Sequence, residues 1–513
     1  MEEPVLVMKD IVKSFPGVVA NRGITLEVKK GEIHALLGEN GAGKTVLMSI
    51  LYGLYYPDSG QIILNGSELH IRSPKDAIRN RIGMVHQHFM LVPTLSVAEN
   101  LIMGQYPAYQ VIYSLDKINQ EIKDLGAKFG LDVDPTALVA SLSVGEQQRV
   151  EILKALYHGA DLLILDEPTA VLTPQETNHL LKFLKELASH GKTIIFITHK
   201  LNEVMDASDR VTVLRDGKVV GTTITAETNP RELARMMVGR EVLMDLNREN
   251  TKPGEAVLSV RNLKVKDERG LLALKGVSFD VHRGEIVGIA GVSGNGQTEL
   301  ALALSGLVDD VEFDQIVLCG KSMTPKTLRN HGHKSFAHIP EDRHKMGVIL
   351  PFSVAENFIL ERYKENPFSS WGLLNNGWIK SYSKSLVSKF SIRVANVEDE
   401  IANLSGGNQQ KVVVARELDR NPCFLLANQP TRGIDIGATE FVHKQLLQQR
   451  DANTGILLIS TELEEIFALS DRIIVIYEGE FMGEVKSDPS LLEQVGLMMA
   501  GKRLDSVFDQ EEA

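Results

Sequence analysis

The pentapeptide SVAEN occurs at positions 96–100 and again, unchanged, at 353–357. It does not stand alone. GEIHALLGENGAGKT at 31–45 is echoed by GEIVGIAGVSGNGQT at 284–298, LSVGEQQ at 142–148 by LSGGNQQ at 404–410, and RMMVG at 235–239 by LMMAG at 497–501. The order is the same in both halves. The offset grows from 253 at the glycine loops (38 and 291) to 257 at SVAEN (96 and 353) and 262 at LS-x-G (142 and 404), so the second copy carries extra residues in its middle. Self-similarity at so long a period means two homologous domains rather than a solenoid of short repeats. The 513 residues accordingly divide into a first domain over 1–240, a connector over 241–256 and a second domain over 257–513. The connector, EVLMDLNRENTKPGEA, is polar and contains a Pro-Gly pair, which predicts an exposed linker rather than a helical arm.

Within each copy, short apolar runs such as HALLG, DLLILDE, TIIFIT and VTVLRDG alternate with longer stretches of helical spacing. Runs of that length suit buried strands, and the alternation predicts a mainly parallel α/β core in each half. Between about 91 and 157 helical patterning takes over, as in INQEIKDLGAKFG, which predicts an inserted helical subdomain. With 43% hydrophobic residues there is ample apolar material for two cores. No run approaches the roughly 18 apolar residues of a membrane span, and MEEPVLVMKD puts acids where a leader is basic, so neither a span nor a signal peptide is expected. A net charge of −12 opposes non-specific attraction to nucleic acid or anionic lipid unless a local basic patch overrides it. Cys319 and Cys423, far apart and in no Cys-x-x-Cys arrangement, predict neither a disulfide framework nor a cysteine metal site, and they fit a reducing cytoplasm.

Gly38, Glu39, Asn40, Gly41, Ala42, Gly43, Lys44 and Thr45 match G-x-x-x-x-G-K-[ST], after the apolar run IHALL and before the helix-like VLMSILYGLY. That context predicts a phosphate cradle. Glycines let backbone N–H groups turn inward, the new helix adds its N-terminal dipole, Lys44 reaches the β and γ oxygens, and the Thr45 hydroxyl ligates Mg²⁺. Taken alone, such a loop can be a mere glycine-rich turn. Asp166 and Glu167 close the run LLIL, where Asp166 is placed for the magnesium shell and Glu167 to polarise water as general base; the plainer reading is two acids meeting solvent at a strand end. His199 follows TIIFIT, placed to orient the γ-phosphate or simply to close the strand with a hydrogen bond. Gln87, in MVHQHF, is a candidate contact to metal or water, or an ordinary loop amide.

In this order and spacing, GENGAGKT, Gln87, LSVGEQQR, LILDEP and ITH resemble the nucleotide-binding domain of the ATP-binding-cassette superfamily. The LS-x-G-x-Q-Q element is the most specific part, and the second copy extends the resemblance over the rest of the chain. The resemblance implies two tandem nucleotide-binding domains, each a RecA-like, mainly parallel sheet core with an inserted helical subdomain, paired head to tail as an intramolecular pseudo-dimer. In that family each ATP, with Mg²⁺, lies between the glycine loop of one domain and the LSGGQ-like signature of the other. One such site would join the first loop, Asp166, Glu167, Gln87 and His199 to Ser405, Gly406 and Gly407 of the second signature, with Asp435 as the D-loop acid and Thr45, Gln87 and Asp166 around the metal. Phe15 stands where the family places an aromatic on the adenine; a core phenylalanine is the competing reading.

The other implied site collects the departures. Gln297 replaces the loop lysine, Asn428 and Gln429 replace Asp-Glu, Glu341 replaces the loop glutamine, and Thr461 stands in the place of His199. From the first half, Val144 interrupts the signature and Thr173 replaces the D-loop acid. Phosphoryl transfer depends on those charges, so hydrolysis there is expected to be very slow, while the remaining glycines and Thr298 leave weak or structural nucleotide binding. Losses in both halves that fall in one implied site are what head-to-tail pairing would produce.

Fused cassettes with no span of their own resemble the ATPases of monosaccharide and nucleoside uptake systems. VHQHFMLVPTLSVAENL at 85–101 and HIPEDRHKMGVIL at 338–350 are more similar to the nucleoside branch, which implies labour at the cytoplasmic face of a plasma membrane with two integral permease subunits and an extracytoplasmic substrate-binding lipoprotein. A permease contact is expected near Gln87, with the apolar stretch from His88 to Val92 as part of the dock or as ordinary packing of the insert. The alternatives are a ribose- or galactose-type importer and, in another class, a soluble twin cassette acting on ribosomes or DNA. Translation relatives carry a long charged helical linker and repair relatives carry zinc cysteines, and this acidic chain has neither, so no nucleic-acid partner is expected. Tyr106, Tyr109 and Tyr113 read as local core of the insert or a partner surface, the charges around 182–186 as a solvated helix face, and the final DQEEA as a frayed end.

Overall fold

The computed structural model describes residues 4–16, 18–39, 41–86, 89–103, 115–131, 133–169, 172–239, 252–267, 270–292, 294–308, 310–329 and 335–505. The chain divides into two compact units, Met1–Val242 and Leu243–Ala513. In the first, a four-stranded antiparallel sheet runs in the order Val18–Lys29, Pro4–Phe15, Ser59–Leu64, Ser67–Glu68. Ile24, Leu26 and Val28 are buried at the two-residue period of a half-covered strand. Beside it lies a six-stranded sheet in the order Lys218–Ile224, Arg210–Arg215, Ile33–Gly38, Thr193–Thr198, Leu162–Asp166, Ile82–Val85, parallel except for its first pair. Its three central strands are buried at every residue, which is why their sequences read as continuous apolar runs rather than alternating ones. Alternate residues nevertheless serve opposite faces. Ile164, Ile195 and Ile197 pack with Leu6, Ile24 and Leu47 under the antiparallel sheet, whereas Leu163, Ile194 and Phe196 pack with Val97, Ile122 and Val150 of the helical insert.

The insert of this unit contains the helices Val97–Ile102, Leu115–Phe129 and Val144–Tyr157. Here the repeated SVAEN finds its physical meaning. Ser96 caps its helix and shares a reciprocal box with Glu99, and the wholly buried Asn100 accepts from Val92 N at 2.7 Å while donating to Val92, Leu95 and Ser96 carbonyls. In the second copy Ser353 and Glu356 form the same box, and Asn357 makes the same bonds to Ile349, Phe352 and Ser353. The pentapeptide is thus conserved between the halves as a helix start with an amide staple.

The second unit repeats both sheets. Its antiparallel sheet runs Leu272–His282, Ala256–Lys266, Gln315–Leu318, Lys321–Met323, and its six-stranded sheet runs Phe336–Ile339, Phe424–Asn428, Gly455–Ser460, Ile286–Ala290, Arg472–Tyr477, Glu480–Lys486, antiparallel only at the last pair. One expectation is corrected here. Cys319 and Cys423 pair, with sulfurs 2.22 Å apart, although 104 residues separate them. Cys319 follows the strand Gln315–Leu318 and Cys423 precedes Phe424–Asn428, and packing the two sheets on a shared core brings those strand ends together. Among the described residues no helix is long and apolar enough to cross a membrane. Asn40, Gln87, His88, Tyr106, Tyr109, Tyr113, the acidic C-terminal DQEEA and most of the connector lie outside the described residues.

Candidate functional site

The glycine loop leaves the strand Ile33–Gly38 and turns into the helix Lys44–Leu51. Gly43 caps that helix at φ 96°, and a Cβ there would stand 2.4 Å from the Ala20 carbonyl oxygen, so only glycine lets the loop close on the neighbouring strand Val18–Lys29. From that strand Asn21, wholly buried, donates Nδ2 to the Gly43 oxygen at 3.1 Å. Asn21 escapes sequence reasoning, since its only signal is one amide at a position where the second copy carries Leu274. Ala42 N donates to the Glu39 oxygen at 3.1 Å, forming the turn, with Gly41 also at positive φ. Lys44 lies back over the loop: its Nζ donates to the Gly38 oxygen at 2.6 Å and the Glu39 oxygen at 3.0 Å. Burial pushes its ammonium below the ordinary value against the pull of Glu167, Asp166 and Glu39.

Asp166 ends the strand Leu162–Asp166, which pairs with Thr193–Thr198, itself paired with Ile33–Gly38. Loop, acids and histidine therefore leave three adjacent strands at their C-terminal ends, where open α/β sheets bind ligands. Burial pushes the Asp166 carboxyl up, opposed by a hydrogen bond from Thr45 and by Lys44. Glu167 stands in left-handed backbone at φ 47°, with its N–H held by the Ile197 oxygen at 3.0 Å. Its Oε1 lies 2.9 Å from His199 Nδ1. Burial alone would raise the Glu167 carboxyl, but the bond and charge of His199, with Lys44 and Lys200, outweigh it and hold the group below its usual range. A carboxylate that is ionised at neutral pH and orientated by a histidine is the result. Phe15, half-buried at the end of Pro4–Phe15, packs edge-on to Tyr55 with centroids 5.3 Å apart and Lys13 Nζ 5.6 Å from its ring.

The second unit keeps this geometry but has neutral groups where the first has Lys44, Asp166 and Glu167. Gln429 stands at φ 48° with its N–H on the Ile459 oxygen at 2.8 Å, and its Oε1 accepts from Thr461 Oγ1 at 3.3 Å, a neutral copy of the Glu167–His199 pair. Thr298 Oγ1 donates to Glu341 at 3.3 Å, and Glu341 forms an ion pair with Arg432. Gln297 is 5% exposed and neither polar atom of its side-chain amide has a partner among the described residues, so this loop presents a neutral group where Lys44 presents a cation.

Ser405, Gly406 and Gly407 begin the helix Gly406–Leu418 of the second unit, with Ser405 as its cap. Asp435 caps the next helix, Ile436–Asp451, and leans on the signature: a Cβ on Gly407 would stand 2.6 Å from Asp435 Oδ2. Signature and D-loop acid are one cluster. In the first unit, a cleft of about 610 Å³ lies where the core meets the insert, lined by Met84, His86, Met90, Met103, Glu151 and Lys154. Glu151 accepts from the Met90 N–H, and burial pushes its carboxyl up.

The sequence profile of the ABC transporter family matches residues 21–170 and 274–432. The guanosine import ATP-binding protein NupO of Bacillus subtilis is 50% identical over 499 residues, covering 97% of this chain and 98% of that protein. The nucleoside import ATP-binding protein NupA of Lactococcus lactis is 46% identical, covering 98% of this chain and 99% of its own. The glucose import ATP-binding protein TsgD13 of Haloferax volcanii is 48% identical, covering 97% and 96%.

Proposed function

The chain belongs to the ABC transporter family, and from that premise we propose that it is the ATP-hydrolysing subunit of a membrane importer whose cargo is a nucleoside. The observation that carries the reading is the cluster of Lys44, Asp166, Glu167 and His199 at the ends of three adjacent strands. ATP phosphates take the loop amides from Gly38 to Thr45, and Lys44 exchanges the Gly38 and Glu39 carbonyls for β and γ oxygens. Glu167 accepts a proton from water as its oxygen attacks the γ-phosphorus and the bond to the β-bridging oxygen breaks; His199 keeps the carboxylate aimed. Thr45 and Asp166 offer the oxygen donors that Mg²⁺ prefers alongside phosphate and water, and Gln87 would complete the set. Bound there, the cation would neutralise phosphate charge. Phe15 would stack on the adenine, extending its contact with Tyr55. Ser405, Gly406, Gly407 and Asp435 would serve the γ-phosphate from the other half, by the head-to-tail pairing that the family resemblance implies.

Proteins of this kind work with membrane permeases and substrate-binding proteins. We assign two permease subunits, a binding lipoprotein and a place at the cytoplasmic face of the plasma membrane as the finer form of that statement. The cleft beside Met84, Met90 and Met103 supports a permease contact, because flexible thioethers suit a surface that must follow a moving partner. A sugar cargo is the second reading, favoured by the 48% identity to a glucose importer subunit. Uptake of labelled adenosine, uridine, ribose, galactose and glucose in cells whose only copy is wild type or Glu167→Gln separates the two. Loss of nucleoside uptake alone is expected; loss of sugar uptake alone would transfer the assignment to sugars.

A further inference from the structure

The two tryptophans of the chain, Trp371 and Trp378, both belong to one segment of the second unit. The strands Ser369–Ser370 and Leu373–Leu374 pair antiparallel, Ser370 opposite Leu373, leaving Trp371 and Gly372 as a two-residue turn. Both turn residues have positive φ, 54° and 80°, an arrangement that favours Asn-Gly; a bulky indole there is uncommon and strained. No burial offsets the strain. Trp371 is fully exposed, Leu373 is 76% exposed, and Leu374 and Trp378 are about half exposed, so one short stretch leaves four large apolar side chains open to solvent. The stem, in contrast, is fixed: Phe368 is buried, edge-on to Tyr382 at 4.9 Å, with the Arg362 guanidinium 4.9 Å from its ring.

The sequence around the tip has a matching pattern. Positions 366–379 contain no charged residue, and they are flanked by Arg362 and Lys364 on one side and Lys380, Lys384 and Lys389 on the other, against Glu361 and Glu365. Arg362, Lys380 and Lys389 pair with Glu365, Glu398 and Asp419, while Lys364 and Lys384 are exposed. Apolar side chains at a tip, indole rings with one polar edge, and lysines on both flanks in sequence are the chemistry of a segment that lies in the headgroup region of a bilayer. We infer that the hairpin tip, Trp371 with Leu373, Leu374 and Trp378, is an interfacial anchor that inserts into an anionic phospholipid surface. A protein partner is disfavoured because the four side chains of the tip offer less than the roughly 1,000 Å² of a specific interface. The inference rests on the importer reading only in requiring a bilayer within reach, and uptake in Glu167→Gln cells tests that reading separately.

Both tryptophans report from this segment, so intrinsic emission of the full chain reads the tip directly. Titration with phosphatidylcholine vesicles containing phosphatidylglycerol is expected to shift the emission to the blue and to carry the protein down on sedimentation, less so in high salt and far less with phosphatidylcholine alone. Joint substitution of Trp371→Ser, Leu373→Ser and Leu374→Ser is expected to weaken partitioning by about tenfold or more while ATP turnover stays at the wild-type rate, which shows the fold intact. Lys364→Glu with Lys384→Glu is expected to weaken binding to the anionic vesicles alone. Unmoved emission with anionic vesicles would overturn the anchor, as would undiminished binding by the triple variant. A shift with native membranes but not with protein-free vesicles would replace the lipid by a protein.

Discussion

At the scale of single residues, the comparison between Glu167 and Gln429 separates what the fold provides from what the chemistry needs. Both stand in left-handed backbone near 47°, both are pinned to the adjoining strand, and both contact the residue after that strand. Only one carries a charge. Glu167→Gln is therefore expected to lower kcat by about 10²–10⁴-fold, the usual worth of a positioned base, with ATP binding retained in equilibrium dialysis. Gln429→Glu is expected to add no turnover, because Gln297 still withholds the cation and Asn428 the anionic metal partner. Glu167 also sets a pH dependence. Its folded carboxyl titrates below the ordinary 4.5, so its share of stability is complete above that value and is lost as pH falls through the lower, folded value. Wild type minus Glu167→Gln, followed by denaturant unfolding across this range, should shrink towards acid; a difference that grows would reverse the sign, and one that stays constant would remove the linkage. Asn21→Leu, which installs the side chain of Leu274, removes the bond to the Gly43 oxygen and should cost about 1–3 kcal/mol of stability and raise KM for ATP more than it lowers kcat.

Elements show where legibility ends. The strands Ile33–Gly38, Leu162–Asp166, Thr193–Thr198 and Arg210–Arg215 coincide with mostly apolar runs because they are buried on both faces, and the polar residues inside two of them, His34 and Thr212, satisfy each other at 2.8 Å. The charges at Lys182, Lys185 and Glu186 are the solvated face of Pro174–Ser189, whose Phe183, Leu184 and Leu187 are buried. Helix starts at Ser96, Ser143 and Ser353 carry local signatures, a serine with a glutamate three residues on. What the sequence withheld is non-local or depends on a backbone angle. The Cys319–Cys423 pair joins positions 104 apart, Asn21 acts on a loop 22 residues away, and the Trp371 turn is built from residues that do not announce a hairpin. That Lys44, Asp166, Glu167 and His199 come together was legible because each sits in a fixed motif at the end of an apolar strand; the packing of the candidate Phe15 on Tyr55 was not, because it joins positions far apart in sequence. Gly407→Ala follows at this scale: its Cβ would stand 2.6 Å from Asp435 Oδ2 and 2.9 Å from Ala438 Cβ, so about 1–3 kcal/mol of stability should be lost in thermal or denaturant unfolding.

For the whole molecule, the argument turns on two serines with equal structural duty and unequal chemical duty. Ser143 caps Val144–Tyr157 in the first unit and Ser405 caps Gly406–Leu418 in the second. Replacing either by alanine removes a cap, which costs about 0.5–2 kcal/mol in both cases. The halves differ in what each signature would serve. Under head-to-tail pairing Ser405 serves the loop with Lys44, Asp166 and Glu167, whereas Ser143 serves the loop in which Gln297, Asn428 and Gln429 stand instead. Ser405→Ala should then lower kcat by about 10²-fold, as when one donor to a developing phosphate charge is removed, while Ser143→Ala leaves turnover near wild type at a similar cost in unfolding free energy. Steady-state ATP hydrolysis and denaturant unfolding of the two variants, measured side by side on the full chain, decide the matter. If Ser143→Ala loses turnover and Ser405→Ala keeps it, the active loop uses the signature of its own half and the pseudo-dimer reading falls; equal loss in both would mean that turnover needs both sites closed.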